Sequence, residues 1–374
     1  MALGSSGYGK TTVVFLTFSL AICTAYLLWS NLASVVIESE VSGVRQPDNA
    51  RLRERPVLGK SHRAFQPPSE STLPKPMPPP RTNEGSGCEK RLPGAIVIGV
   101  MKCGTYALKS FLHHHPDIAM RIDEMVNFFT FSNQHPDLEA YRDMMACSTP
   151  GQLTMEGSPG YYPEIVAPGL IKIALPKVKL ILILRDPVNR AVSEYLHLMD
   201  MENKMGPRPN MYKPMPQIKE GCRSEIAPSF EEAVSYSNGS LKTYNLILAK
   251  GCYADFLPRW FSQFPRQRFL ILDGDAFARD PLPQLKLAER FLDIRPFFTR
   301  RHFKYNKEKG FYCFNFKEAR KNQACLGGTK GRPHPLINAT LLRTLHRYYA
   351  PFNRKLNKLL NRTFRWSDAS QDVA

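Results

Sequence analysis

The chain has 374 residues, with 51 Lys and Arg against 33 Asp and Glu, a formal net charge of +18. Hydrophobic residues make up 43% and charged ones 22%, a globular composition that excludes wholesale disorder, collagen and a multispan membrane protein. The length supports one large domain or two small ones, and the excess of cations implies attraction for a polyanion: nucleic acid, anionic lipid or acidic polysaccharide.

The first element is an address. Residues 11–37 contain no charged side chain, and the run is long enough to cross a bilayer core of about 30 Å. Lys10 precedes it and Glu38 follows, so the positive-inside tendency leaves 1–10 in the cytosol and places the rest beyond the membrane, a single-pass type II signal anchor. A cleaved signal peptide is the alternative, although its apolar region is normally shorter. N-glycosylation sequons at Asn238, Asn338 and Asn361 agree with export, with bare surface asparagines as the alternative. Of eight cysteines, Cys23 falls in the apolar segment, which leaves seven beyond it. An odd number forces at least one free thiol or an intermolecular bond. Cys313 and Cys325 are the favoured pair, closing a short loop at the start of a basic tail. In this compartment nucleic acid is not an expected partner.

Residues 38–91 hold Pro56, Pro67, Pro68, Pro74, Pro76 and Pro78 to Pro80 with few apolar residues. Such a composition buries no core and favours extended polyproline II, hence a stem. The globular domain is expected over 92–374, without internal repeats. Apolar runs at 95–100, 178–184 and 269–272 alternate with amphipathic stretches at 106–114, 188–196 and 282–292. Continuous runs between helical patterns predict parallel strands buried on both faces, so the fold class is α/β with a central parallel sheet flanked by helices. Residues 339–360 carry apolar residues at helical spacing and predict a terminal helix.

The first strand runs into Gly99-Val100-Met101-Lys102-Cys103-Gly104-Thr105 and then directly into a helix. Backbone N–H groups, a helix N-terminus and a lysine thereby converge at a point suited to phosphate. A Walker A loop is excluded, since its lysine follows the second glycine whereas Lys102 precedes Gly104. The strand ending at Leu184 delivers Arg185-Asp186-Pro187, and the next helix presents Arg190 and Ser193, a second anion-binding group at a strand's carboxyl end. Gly327-Gly328-Thr329-Lys330-Gly331-Arg332 supplies a loop with two cations able to close over phosphate. His113, His114 and His115 are consecutive on a helix and cannot all face one metal, so no metal site is expected.

In order along the chain, GVMKCGTYAL (99–108), LILRDPVNRAVSEY (182–195), LILDGDAF (270–277), GFYC (310–313) and KGRPHP (330–335) resemble the Golgi heparan sulfate sulfotransferases, most of all the glucosaminyl 3-O-sulfotransferases. The resemblance covers about 92–366. It implies a sulfotransferase that moves a sulfuryl group from 3′-phosphoadenosine 5′-phosphosulfate (PAPS) to a glycosaminoglycan hydroxyl, with the 3-OH of glucosamine in heparan sulfate as the expected acceptor, in the Golgi membrane and without metal. It further implies that Lys102, Cys103, Gly104, Thr105 and Tyr106 hold the 5′-phosphosulfate, Lys102 also stabilising charge on the leaving phosphate. Arg185 and Ser193 would hold the 3′-phosphate, Tyr312 would lie against the nucleotide, and Lys330, Gly331, Arg332, Pro333 and His334 would form its lid. Cys313 to Cys325 matches the family disulfide.

On the acceptor side the sequence departs from the family. A family segment Glu-x-His-Phe-Phe, whose Glu is the general base, reads Glu124-Met125-Val126-Asn127-Phe128-Phe129 here. Without a gap Met125 occupies the base position and Asn127 replaces the His. Glu124, one residue early, is the expected base, with Asp123 as the alternative, although a one-residue shift on a strand would turn a side chain to the other face. The family segment Glu-Lys-[ST]-Pro reads Glu156-Gly157-Ser158-Pro159, which keeps Glu156, Ser158 and Pro159 for acceptor contact and lacks the lysine. Two alternatives follow: a noncatalytic relative that binds PAPS or heparan sulfate, and a sulfotransferase with a different glycan acceptor. From Arg300 onward 17 Lys and Arg stand against 4 Asp and Glu, so most of the net charge lies in the last fifth of the chain.

Overall fold

The computed structural model describes residues 87–122, 125–130, 137–205, 226–315, 325 and 332–368. The apolar segment 11–37 and the stem up to residue 86 lie outside them. A short strand β1 (Glu89–Lys90) precedes β2 (Ala95–Gly99), helix α1 (Thr105–His113) and β3 (Ile118–Met120). Helix α2 (Leu138–Asp143), β4 (Cys147–Ser148) and β5 (Leu153–Gly157) follow, then α3 (Ala167–Ala174), β6 (Lys179–Leu184) and α4 (Pro187–Met205). Next come α5 (Phe230–Val234), α6 (Leu246–Ala249), α7 (Tyr253–Gln263), β7 (Phe269–Asp273), α8 (Gly274–Arg279) and α9 (Pro281–Leu292). The hairpin β8 (Phe303–Asn306) and β9 (Phe311–Phe314) leads to α10 (Ala339–Leu360) and α11 (Arg365–Asp368).

Among the described residues, five strands form a parallel sheet in the order β3-β5-β2-β6-β7. All five residues of β2 are buried, and β6 is buried from Leu180 onward, as expected of strands covered on both faces. The apolar runs at 95–100, 178–184 and 269–272 are thus β2, β6 and β7. Strands β3 and β5 escaped the sequence pattern because one is three residues long and the other carries Thr154 and Glu156. The chain leaves β2 for β3 and β5 on one side, then crosses to β6 and β7 on the other. That reversal opens a crevice at the carboxyl ends of β2 and β6, where ligands of open α/β sheets bind.

Helix α10 forms as its spacing predicts: Leu341, Leu345, Tyr349 and Leu356 are buried along one face. Asn338 caps it through an Oδ1 that accepts from Thr340 N at 2.8 Å, and Asn361 ends it in the left-handed conformation. Leu345 and Tyr349 join Val188, Val192, Ile247 and Leu248 in a second apolar cluster that steadies α4 beside the crevice. Cysteines at 88 and 147, which carry no motif, form a disulfide that ties the antiparallel pair β1–β4 together, and Cys313 is bonded to Cys325. Cys103 and Cys252 are free and buried. The acceptor-side segment 125–128 is not a strand: it has no regular secondary structure, and Asn127 has φ 44°. The face-alternation argument against a shifted carboxylate therefore does not apply to this segment.

Candidate functional site

Beyond β2, the chain turns through Lys102 (φ 73°) and Gly104 (φ 101°) into α1. The Cys103 N–H closes this turn on Val100 O at 3.0 Å, and Val100 N–H reaches Ile183 O on β6 at 3.0 Å. Helix α1 has no side-chain cap at Gly104 and no acidic residue in its first turn, so its N-terminal field is directed outward undiminished. The loop is locked from the other side by Gly274 at the start of α8. A Cβ there would stand 2.5 Å from Cys103 O and 2.8 Å from Leu184 O, so only glycine allows the three segments to meet.

Asp275, one residue further on, accepts from the Arg185 Nε at 3.3 Å and from the Asp186 N–H at 2.8 Å, while Tyr253 OH donates to Arg185 O at 2.8 Å. Arg185 is thus held at the end of β6 with its guanidinium half-buried. Arg190 does not join it. Its guanidinium is fully buried, paired with Glu194 and donating to Ile247 O. Burial opposes ionisation of Glu194, but Lys250 and Arg190 outweigh it and draw the carboxyl down to about 2. This triad holds α4 to the α6 turn, leaving Ser193 on the side toward the cleft.

These pieces line one cleft of about 530 Å³, within the range of small-molecule sites. It gathers Lys102 to Tyr106, Arg185, Ser193, Tyr312, Arg332 and His334, as expected from the sequence, together with Lys109, Lys309 and Phe277, which were not. Lys309 comes from the β8–β9 turn beside Tyr312. Arg332 is paired with Asp200 of α4 at 2.7 Å, which anchors this end of the expected lid against α4. His334 is held below its ordinary range by burial and by the charge of Arg185, which lines the same cleft. Among the described residues that line this cleft there are five cations and no carboxylate. Pro333 is exposed, and Glu124, Lys330 and Gly331 lie outside the described residues.

Cys103 is buried beside Tyr253, at 3.4 Å from its hydroxyl, and burial pushes the thiol up to about 11. It acts as a small apolar residue there, not as a thiolate. A smaller hollow of about 340 Å³ lies alongside, sharing Met101, Met125 and Pro159 with the cleft and adding Asn127, Glu164 and Lys250. Pro159 lies at the junction. Glu156 and Ser158 lie beneath it instead: the Glu156 carboxyl accepts from Tyr141 OH at 3.1 Å and from Ser158 Oγ at 2.8 Å, and Ser158 Oγ accepts from Asn127 N–H at 2.9 Å. Burial raises the Glu156 carboxyl above the usual carboxylate range, against the pull of those hydrogen bonds and of Lys109. No group of three or more His, Cys, Asp or Glu side chains is placed to hold a metal among the described residues.

A parallel sheet whose crevice is walled by an uncapped helix and cations is suited to an anionic ligand. The chain matches the sulfotransferase domain over residues 92–361 and belongs to that family; it is a sulfotransferase. It is 35% identical over 312 residues to heparan sulfate glucosamine 3-O-sulfotransferase 3B1 of Mus musculus, covering 83% of this chain and 73% of that protein. It is 32% identical over 278 residues to heparan sulfate glucosamine 3-O-sulfotransferase 6 of Homo sapiens, covering 74% of each. The crystal structure of a sulfotransferase from Alicyclobacillus acidocaldarius shares the fold, with a TM-score of 0.51 at 21% identity, over 74% of this chain and 99% of that one.

Proposed function

We propose that this enzyme transfers a sulfuryl group from PAPS to heparan sulfate, at the 3-OH of glucosamine. The observation that carries the reading is the cleft at the β2 and β6 ends, with five cations and no carboxylate among its described lining residues, in a chain 35% identical to a heparan sulfate glucosamine 3-O-sulfotransferase. When bound, PAPS supplies the activated sulfuryl group. The chain's own residues then have distinct tasks. The α1 N-terminus and Lys102 hold the 5′ anions and neutralise charge that grows on the leaving phosphate, a contribution in which preorganised positive groups are most effective. Arg185, fixed by Asp275 and Tyr253, and Ser193 hold the 3′-phosphate. Tyr312 packs against the nucleotide, and the segment from Lys330 to His334 covers it.

Glu124 takes the proton of the acceptor hydroxyl as general base. The apolar segment 11–37 anchors the enzyme in the Golgi membrane as a type II protein with residues 38–91 as stem and 92–374 lumenal. Asn238, Asn338 and Asn361 carry glycans; all three are exposed, and at Asn338 the capping atom is Oδ1, which leaves Nδ2 for attachment. Met125 and Asn127 at the acceptor side favour a second reading, transfer to a different glycan. The deciding experiment incubates the full-length chain in detergent with sulfate-labelled PAPS and separate heparan, chondroitin and keratan chains. Label on heparan alone supports the proposal, and label only on another chain selects the second reading. Glu124→Gln should abolish the transfer, and retained turnover moves the base elsewhere.

A further inference from the structure

We propose that the outer face of α10 is a second binding site for sulfated polysaccharide, a track of four cations that holds the acceptor chain outside the cleft. The identity of the occupant rests on the functional reading above; the track itself is a feature of the helix. No Asp or Glu occurs between Glu318 and Asp368, a stretch that contains the whole of α10. Arg343, Arg347, Arg354 and Lys358 are all exposed. At about 100° per residue they fall within about 60° of one another, in a row about 22 Å long. The row lies opposite the buried face of Leu341, Leu345, Tyr349 and Leu356.

The row is costly to the helix without a partner. Arg343 with Arg347, and Arg354 with Lys358, stand four residues apart, a spacing at which like charges repel. The helix dipole favours cations in the last turn, so it accounts for Lys358 and not for the other three. Among the described residues no member of the row has an ion pair: Arg343 donates to Thr340 Oγ1 at 3.4 Å, and Asp255 of α7 pairs at 3.7 Å with Lys355 on the flank. Glu231 is engaged at the helix start, where it accepts from the Asn338 N–H at 3.0 Å. A row of like charges on one face is complementary to a polymer that repeats anions along its length.

The row also begins beside the cleft. His334 lines the cleft and Asn338 caps α10 four residues later, at most about 14 Å away. Leu345 and Tyr349 pack with Val188 and Val192 of α4, the helix that presents Ser193 to the same cleft. A cleft of about 530 Å³ takes a nucleotide and a small part of a polysaccharide, so the rest of such a chain must lie on the protein surface.

Heparin binding by the full-length chain in detergent tests this without turnover. The variant R343Q/R347Q/R354Q/K358Q keeps good helix formers and should lower the slope of log affinity against log salt by about 3, as four counterions cease to be released. K177Q/R290Q, which removes exposed cations before β6 and on α9, should leave the slope unchanged. In the transfer assay the quadruple variant should raise KM for long heparan chains roughly tenfold, with KM for PAPS and for a short heparan oligosaccharide unchanged. A wild-type slope in the quadruple variant, a matching fall per charge in K177Q/R290Q, or an equal rise in KM for short and long chains overturns the inference. So does a quadruple variant that loses affinity for phosphatidylserine micelles and keeps it for heparin, which makes this face a membrane contact. A wild-type chain that sulfates no heparan, with heparin affinity still lost in the quadruple variant, overturns the functional reading and leaves the track standing.

Discussion

Arg185 shows how much of one side chain's role is set by neighbours far away in sequence. Its place after an apolar strand marked it as an anion ligand, but Asp275 and Tyr253, about seventy to ninety residues distant, fix its direction. Arg190, five residues later and identical in chemistry, is turned into a buried ion pair by Glu194 and Lys250. The i,i+4 spacing to Glu194 marks Arg190 as pairable, but only packing against Lys250 and Ile247 turns it inward. In the proposed role Arg185→Ala should raise KM for PAPS roughly tenfold or more with a smaller change in kcat, because that role is a charge-assisted contact to a group remote from the transferred sulfuryl. Equal loss of kcat with unchanged KM, measured with saturating acceptor, would place Arg185 at the reacting centre instead.

At the scale of elements, strands β2, β6 and β7 were legible as continuous apolar runs, while β3 and β5 were not, because a three-residue strand and one carrying a buried Glu leave no period to detect. The helices α1 and α10 were legible from spacing. The Cys88–Cys147 bond had no signal, since pairing depends on the approach of β1 to β4 across 59 residues of sequence. In the chain-entropy account, closing that loop stabilises the fold by about 4 kcal/mol, against about 3 for the Cys313–Cys325 loop. Thermal melts should therefore show a larger loss for the variant C88S/C147S than for C313S/C325S. Activity should order them oppositely, because Cys313 adjoins Tyr312 of the cleft and β1 does not line it. A C313S/C325S variant with unaltered KM for PAPS would remove that distinction.

Across the described domain, several histidines share one response to acid. His114, stacked on Phe314 at 4.3 Å, is pulled by burial and by His113 from 6.5 to about 4, and burial also lowers His115, His302 and His334. In the fold they stay neutral where the unfolded chain binds protons, so stability is present above about pH 6.5 and falls as pH drops toward 4. The contribution of Glu194, whose carboxyl is drawn from 4.5 to about 2, is lost as pH falls between those two values. Glu156 and Asp186, raised by burial, act in the opposite sense, and in the carboxylate range. Melting temperature should therefore begin to fall near pH 6.5, and His114→Leu should flatten this first stage. A wild-type melt independent of pH between 7 and 5 would exclude these histidines as its cause.

Alternating apolar runs and helical patterns determined the α/β class, and local order picked out the loop at Lys102 to Thr105, the strand-end Arg185 and the basic tail, because each depends on residues near one another in the chain. Tertiary structure decided the rest. Convergence of Lys109, Lys309 and Arg332 on one cleft, the inward turn of Arg190 and burial of Glu156 are contacts between elements. Such contacts follow from steric exclusion and desolvation in a packed interior, and neither quantity exists until the strands and helices have met.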